Sequence, residues 1–206
     1  MSFIYPHRTP GLLKKIIPSA VWQIPNNKKE IYLTFDDGPH PEITPWVLDL
    51  LDKYNQKATF FCVGHNVQKY PQVYSMIIQR GHAVANHTFN HLNGWKISTS
   101  EYLENITQCK ELVNSELFRP PYGKIKKSQI SVLKSDYKIV MWSLLSGDFS
   151  PNLDPKVAKR KLMDYTRAGD IVVFHDSIKA EKNLQSILPE YLEFLSIQNY
   201  SCVCLG

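Results

Sequence analysis

The sequence predicts an α/β fold in which a parallel sheet closes into a barrel, all within a single domain. Three observations point there. Short β-rich apolar runs alternate with segments that carry apolar residues at three- and four-residue spacing. Several of the runs are apolar on both faces, as strands of a parallel sheet covered by helices must be. Asp36, His87, Arg119, Asp148 and His175 follow five different strands, each at the carboxyl end. A barrel gathers side chains from many strands on that face, whereas an open sheet concentrates its ligands at one switch point.

The elements follow in order. Residues 1–28 precede the first strand and predict an N-terminal wrap covering the barrel, leaving 29–206 as the barrel domain. The strands are "IYLTF" (31–35), "ATFFCV" (58–63), "HAVAN" (82–86), "LFRP" (117–120), "YKIVMWS" (137–143), "DIVVFH" (170–175) and "YSCVCL" (200–205). Between them the three- and four-residue spacing predicts helices over 44–54, 67–80, 99–116, 127–135, 155–166 and 184–198. Start signals support several of these: Pro45 near a first turn, Ser98 to Ser100 ahead of Glu101, and Asp154 before Pro155. Gly81 and Gly169 stand where helices should stop before the next strand.

Composition narrows the class. With 43% hydrophobic residues among 206, the chain is an ordinary globular one, long enough for a sizeable core. The net charge of +5 is spread over "NNKKE", "GKIKKS" and "PKVAKRK", so no stripe for nucleic acid forms. No window reaches the roughly 18 consecutive apolar residues of a membrane span, so no membrane insertion is expected. Pro6, Arg8, Pro10, Lys14 and Lys15 interrupt the N-terminus, which removes a secretory-signal core and predicts a cytoplasmic protein. Cys62, Cys109, Cys202 and Cys204 form neither a CxxC pair nor a dense framework, consistent with reduced thiols there. The spacing of Cys202 and Cys204 is not a usual zinc spacing either.

The chemistry starts at "YLTFDDGPHP" (32–41), where an apolar run ends in the adjacent carboxylates Asp36 and Asp37. Two like charges side by side favour protonation of one unless a cation neutralises part of the charge. Taken alone, the stretch also reads as a solvated Asp-Gly turn. In "ANHTFNHLNGW" (85–95), His87 and His91 are four apart and can reach one ion from a helical turn or a tight loop. Together these make a candidate site of two histidines and one carboxylate. One of Asp36 and Asp37 would be a ligand and the other a general base on water. "FRPPYG" (118–123) adds Arg119 and Tyr122 on a loop shaped by prolines, and "IVVFHDS" (171–177) ends a very apolar strand in His175. Taken alone, Arg119 reads first as a surface ion-pair partner, and His175 reads equally as a core histidine.

Four motifs in one order, "TFDDGP", "HTFNH", "FRPPYG" and "VVFHDS", resemble the signature of the polysaccharide deacetylases, carbohydrate esterase family 4, with its NodB-like chitooligosaccharide-deacetylase domain. "KATFFCVGHN" and "RGHAVANHT" resemble the same family, so the likeness runs from about residue 30 onward. The resemblance implies a distorted (β/α)7-8 barrel and one divalent metal, usually zinc, with cobalt, nickel or manganese as alternatives. It implies Asp37, His87 and His91 as metal ligands, Asp36 as base, and Arg119 as the residue that keeps the base ionised. It further implies the Tyr122 N–H as oxyanion donor and His175 as the acid. The fourth family motif, Trp-Ser-x-Asp-x-x-Asp-Trp, reads "WSLLSGDF" (142–149) here. Trp142 and Asp148 match, Leu145 and Phe149 depart, and Asp148 can still tune His175. Trp142, Phe149, Trp95 and Tyr122 are candidate walls for the acetyl methyl or sugar rings, and core packing is the competing role for Trp142 and Phe149.

The implied activity is metal-dependent hydrolysis of acetyl groups from small N-acetylated carbohydrates, with chitooligosaccharides placed first. Peptidoglycan or acetylxylan deacetylation and hydrolysis of another non-peptide C–N bond are alternatives. A catalytically silent carbohydrate-binding relative would lack the base or a ligand, and all are present. A non-haem iron oxygenase shares the two-His-one-carboxylate set but not the α/β repeat or the second Asp.

Overall fold

The computed structural model describes residues 6–206; residues 1–5 of the expected N-terminal wrap lie outside the described residues. Among the described residues eight strands are present: β1 (Glu30–Asp36), β2 (Thr59–Cys62), β3 (Ala83–Asn86), β4 (Leu117–Phe118), β5 (Lys138–Ile139), β6 (Leu144–Leu145), β7 (Ile171–His175) and β8 (Ser201–Cys202). The helices are α1 (Gly11–Lys14), α2 (Ile43–Lys53), α3 (Gly64–Lys69), α4 (Pro71–Gln79), α5 (Thr99–Lys110), α6 (Lys127–Leu133), α7 (Pro155–Tyr165) and α8 (Glu181–Ile197). The strands pair in parallel in the order β5-β4-β3-β2-β1-β7-β6, and β8 lies beside the first residues of β1. The sheet curls into the expected distorted barrel with helices outside.

Two-residue periodicity sorts β1 between two environments. Ile31, Leu33 and Phe35 face outward into the core shared with Val47, Leu48 and Leu51 of α2 and Leu188, Tyr191 and Leu192 of α8. Each such fully buried side chain contributes about 1.5–3 kcal/mol. Tyr32 faces inward and packs with Phe61, Ala85, Val140 and Ile171 to fill the barrel floor. Thr34 and Asp36 share that inward side, above Tyr32.

The helix signals act as expected. Ser98 Oγ accepts the Glu101 N–H at the start of α5, and Asp154 Oδ1 accepts the Lys156 N–H at the start of α7. Gly81 and Gly169 take left-handed φ values of 74° and 84°.

Three expected elements differ. The helix over 67–80 is two helices meeting at Tyr70, because Pro71 has no N–H to continue the first and restricts the residue before it. The helix over 99–116 stops at Lys110. The strand over 137–143 is reduced to β5, and a separate strand, β6, follows it at the opposite edge of the sheet. Between those edges the N-terminal segment supplies the missing partners. Val21 donates to Ile139 O (2.8 Å), Met141 donates to Val21 O (2.8 Å), Thr9 donates to Ser143 O (2.9 Å) and Leu145 donates to His7 O (2.7 Å). Residues 7–21 thus lace the two edges, and the backbone groups there are paired rather than left open.

Candidate active site

Register assembles the site. Asp36 is level with Phe61 on β2 and with His175 on β7, and Asn86 is level with Phe118 on β4. The residues that follow β3 and β4, His87 and Arg119, therefore arrive at the same mouth.

Arg119 is 0% exposed and spans the barrel interior. Its Nη1 donates to Asp36 Oδ1 (2.6 Å) and Thr34 Oγ1 (2.8 Å), Nε to Val140 O (3.3 Å) and Nη2 to Met141 O (3.0 Å). The guanidinium also lies 3.9 Å from the Phe61 ring centroid. Burial pulls Arg119 below its usual value and Asp36 opposes that pull. A buried cation this well bonded keeps Asp36 oriented through one oxygen and leaves the other for chemistry.

Asp37 lies at φ 78°, so its carboxylate turns toward the histidines instead of away from Asp36. Its Oδ1 is 3.0 Å from His91 Nε2 and 3.6 Å from His87 Nε2, and one ligand atom from each of the three lies within 4.8 Å of the others. The histidines sit on a loop, not a helical turn, with Thr88 and His91 both at positive φ (63° and 54°). Asparagine side chains hold that loop. Asn86 Oδ1 accepts the Thr88 N–H (2.9 Å), and Asn105 Oδ1 accepts those of Phe89 (2.9 Å) and Asn90 (3.0 Å).

The donor set fits a divalent cation. His87 Nδ1 lies 2.8 Å from Arg119 O, and a carbonyl only accepts, so Nδ1 carries the proton and Nε2 presents its lone pair to Asp37. Burial would raise Asp37, but the His87 and His91 imidazoles that face it hold it well below the ordinary carboxylate range. Two imidazole nitrogens and an ionised carboxylate suit zinc, with room for water or substrate.

On the opposite wall Asp148 grips His175 twice, accepting its backbone N–H on Oδ2 (2.8 Å) and facing its Nδ1 with Oδ1 (2.7 Å). Burial would lower His175, but the Asp148 charge and hydrogen bond overcome it, with smaller help from Asp37 and Asp36, and raise it to about 9. The Phe149 ring meets the imidazole edge-on at 5.1 Å. Asp176, next in the chain, is pushed up to about 8 by burial, against a hydrogen bond from Thr44.

A cavity of about 880 Å³ joins these groups. Its lining includes Asp36, Asp37, His87, His91 and His175, with Tyr122, Trp142, Leu145 and Phe149 as walls. Tyr122, at φ 61°, packs its ring on His91 at 4.7 Å. Arg119 and Asp148 stand behind the lining and contact it through Asp36 and His175. Trp95 is a correction: the fold does not bring it into the cavity, because its indole N–H is tied to Ile125 O (3.0 Å) on the outer side of the loop. Asn66, Lys69, Tyr70, Asp176 and Lys179 also line the cavity, and sequence reasoning had assigned them nothing. Asp176 carried a readable signal, a second charge directly after His175 at the end of an apolar strand.

A family model described as polysaccharide deacetylase matches residues 23–138, more than half of the chain. The chain belongs to the polysaccharide deacetylase family. A peptidoglycan-N-acetylglucosamine deacetylase of Bacillus cereus is 36% identical over 207 residues, covering 95% of this chain and 96% of that one. A chitooligosaccharide deacetylase of Azorhizobium caulinodans is 32% identical over 163 residues, 75% of this chain and 77% of that one. Among solved structures, a peptidoglycan N-acetylglucosamine deacetylase in complex with 4-naphthalen-1-yl-N-oxidanyl-benzamide superposes with TM-score 0.85 at 30% identity, covering 94% of each chain. The family is one of metal-dependent carbohydrate deacetylases, and the polysaccharide deacetylase barrel read from four motifs is the fold observed.

Proposed function

We propose that this deacetylase removes the N-acetyl group from N-acetylglucosamine in peptidoglycan fragments, by a zinc-assisted hydrolysis. The observation that carries the chemistry is the cluster of Asp37, His87 and His91 beside Asp36, with its Arg119 partner, and opposite His175. A divalent cation held by Asp37, His87 and His91 would polarise the acetyl carbonyl and acidify a water.

Asp36 takes the proton of the attacking water on the oxygen that Arg119 leaves free. Arg119 holds that carboxylate ionised and aimed. The Tyr122 N–H donates to the oxyanion of the tetrahedral intermediate, a contact worth about 3 kcal/mol in other hydrolases. His175 gives its Nε2 proton to the departing sugar nitrogen while Asp148 keeps Nδ1–H engaged. The C–N bond breaks, and acetate and a free amine leave. Trp142, Phe149 and Tyr122 wall the acetyl group from bulk water.

Chitooligosaccharides, placed first on sequence grounds, and peptidoglycan fragments share the reacting sugar. The cavity rim favours the second. Among the described residues lining it, the exposed charged side chains are Lys69 and Lys179, while the aspartates are buried or half-buried at its floor. Paired cations suit a glycan that bears carboxylates near the N-acetyl sugar, and chitooligosaccharides bear none. The name of the Bacillus cereus relative supports the same substrate. Such a substrate also bears on the expected cytoplasmic location, which cell fractionation would test.

Acetate release from muropeptides and from chitotetraose, with and without chelator, tests the proposal. Chelator-sensitive release from muropeptides is expected, with Lys69→Ala and Lys179→Ala raising KM there more than on chitotetraose. No acetate from either substrate by zinc-loaded protein would overturn the activity; equal lysine effects on both would overturn the substrate preference.

A further inference from the structure

Neighbouring strand residues point to opposite faces, so Asp36 and Asp37 should diverge. Asp37 instead takes φ 78°, which swings its carboxylate over the mouth toward His87 and His91. Aspartate tolerates left-handed φ better than most residues, but tolerance does not enforce it. Its own side chain is engaged with the imidazoles and cannot hold the turn. What holds it are the two peptide planes on either side of its Cα.

The preceding plane is held through Asp36 O, which accepts the Asp176 N–H at 3.1 Å. The following plane is gripped at both polar atoms. Asp37 O accepts from Asn66 Nδ2 at 2.8 Å, and the Gly38 N–H donates to Asp176 Oδ1 at 3.1 Å. Asp176 is 1% exposed, and its second oxygen accepts from Thr44 Oγ1 of α2 at 2.5 Å. The seat is tight, since a Cβ on Gly38 would fall 2.1 Å from Asp176 Oδ2. With both planes pinned, φ and ψ of Asp37 cannot relax. Neither Asn66 nor the Asp176 carboxylate is needed as a ligand, base or acid.

We propose that Asn66 and Asp176 are positioning residues that lock the peptide planes flanking Asp37 and thereby set the affinity of the site for metal. The proposal rests on the ligand role given to Asp37 above. A carboxylate already aimed loses less freedom when the ion binds, so loosening either grip should weaken binding without removing a ligand.

The test measures the zinc dissociation constant of the whole chain against a competing chelating indicator. The visible spectrum of the cobalt-loaded protein and the Tm of the metal-free protein accompany it. Asn66→Ala and Asp176→Ala are each expected to weaken zinc binding about tenfold or more and to alter the cobalt spectrum. Asp176→Asn keeps an oxygen for the Gly38 N–H and is expected to stay within about threefold of wild type. Zinc constants and cobalt spectra unchanged in the alanine variants would overturn the proposal, whatever their Tm. Should Asp176→Ala fail to fold, Asn66→Ala decides alone, since Asn66 is half-buried on the cavity wall. A wild-type chain that binds no zinc overturns the metal site itself; a zinc-binding wild type with indifferent variants overturns only the clamp.

Discussion

Replacing Asp148 with asparagine should move the basic limb of the pH–rate profile downward. His175 stands at about 9, against 6.5 for an unperturbed histidine, a gap of about 2.5 pH units. That gap corresponds to roughly 3 kcal/mol in favour of the imidazolium. Burial opposes the rise, so the Asp148 charge and hydrogen bond, its largest causes, must more than offset burial together with smaller shares from Asp37 and Asp36. Asparagine keeps an acceptor near Nδ1 but removes the charge, while burial remains, so His175 should fall to about 6.5 or below. At about pH 8 the acid form would then drop from about nine-tenths to a few hundredths, a loss of about 30-fold; at about pH 5.5 the loss would be under twofold. The assay is kcat/KM from acetate release between about pH 5 and 10, with metal content matched. Stability supplies a second reading. Because the folded value lies above the unfolded one, the pair stabilises the fold fully below about 6.5 and loses that contribution as pH rises through about 9. The Tm gap between wild type and variant should therefore be widest in acid and close in base. A basic limb that stays near 9 in the variant would refute His175 as the acid tuned by Asp148.

Asp36→Asn should retain zinc yet lose about 10²–10⁴-fold in kcat, whereas Asp37→Asn should lose zinc occupancy as well, both read by metal analysis beside acetate release. Arg119→Met should lower stability by about 3–5 kcal/mol in denaturant melts, because it strands the buried Asp36 and leaves Thr34, Val140 and Met141 without their donor. Leu145→Asp should raise the basic limb, since Leu145 lines the same cavity as His175 and a new carboxylate there favours the imidazolium.

Much of the site was legible because its residues sit at strand ends, where an apolar run makes a following charge conspicuous. Asp36, Asp37 and His175 are of this kind. The HxxxH spacing left a helical turn and a loop open, and the choice fell to Asn86 and Asn105, whose hydrogen bonds span up to 16 residues. The role of residues 7–21 was legible only as a wrap. Their contacts with 139–145 cross more than a hundred positions, and no local periodicity records such a pairing. Trp95 stands outside the cavity lining for a similar reason: an aromatic next to a motif is near it in sequence, but the bond to Ile125 O holds the indole. Asn66 was invisible for the converse reason, being 29 positions from the carbonyl it holds.

The departure in the fourth motif changes a cavity wall and leaves the His175–Asp148 contact in place. On β6, Leu144 packs into the helix-side core, and the alternation of the strand turns Leu145 to the cavity. The chain then leaves the strand through Gly147 at φ 79°, and Asp148 comes to rest against His175. Asn183 of α8 fixes that placement by donating to both Asp148 O and Ser150 O at 2.8 Å. Ser146 Oγ accepts the Asp148 N–H at 3.3 Å. Asp148 therefore depends on the turn and on α8 for its position, not on what side chain precedes it at 145. An apolar Leu145 removes one carboxylate from the cavity wall and makes that wall a better surface for a methyl group. The charge that raises His175 comes from a residue held independently. Under the proposed mechanism the departure at 145 bears on how the acetyl group would be received, while proton delivery would stay with His175 and its partner.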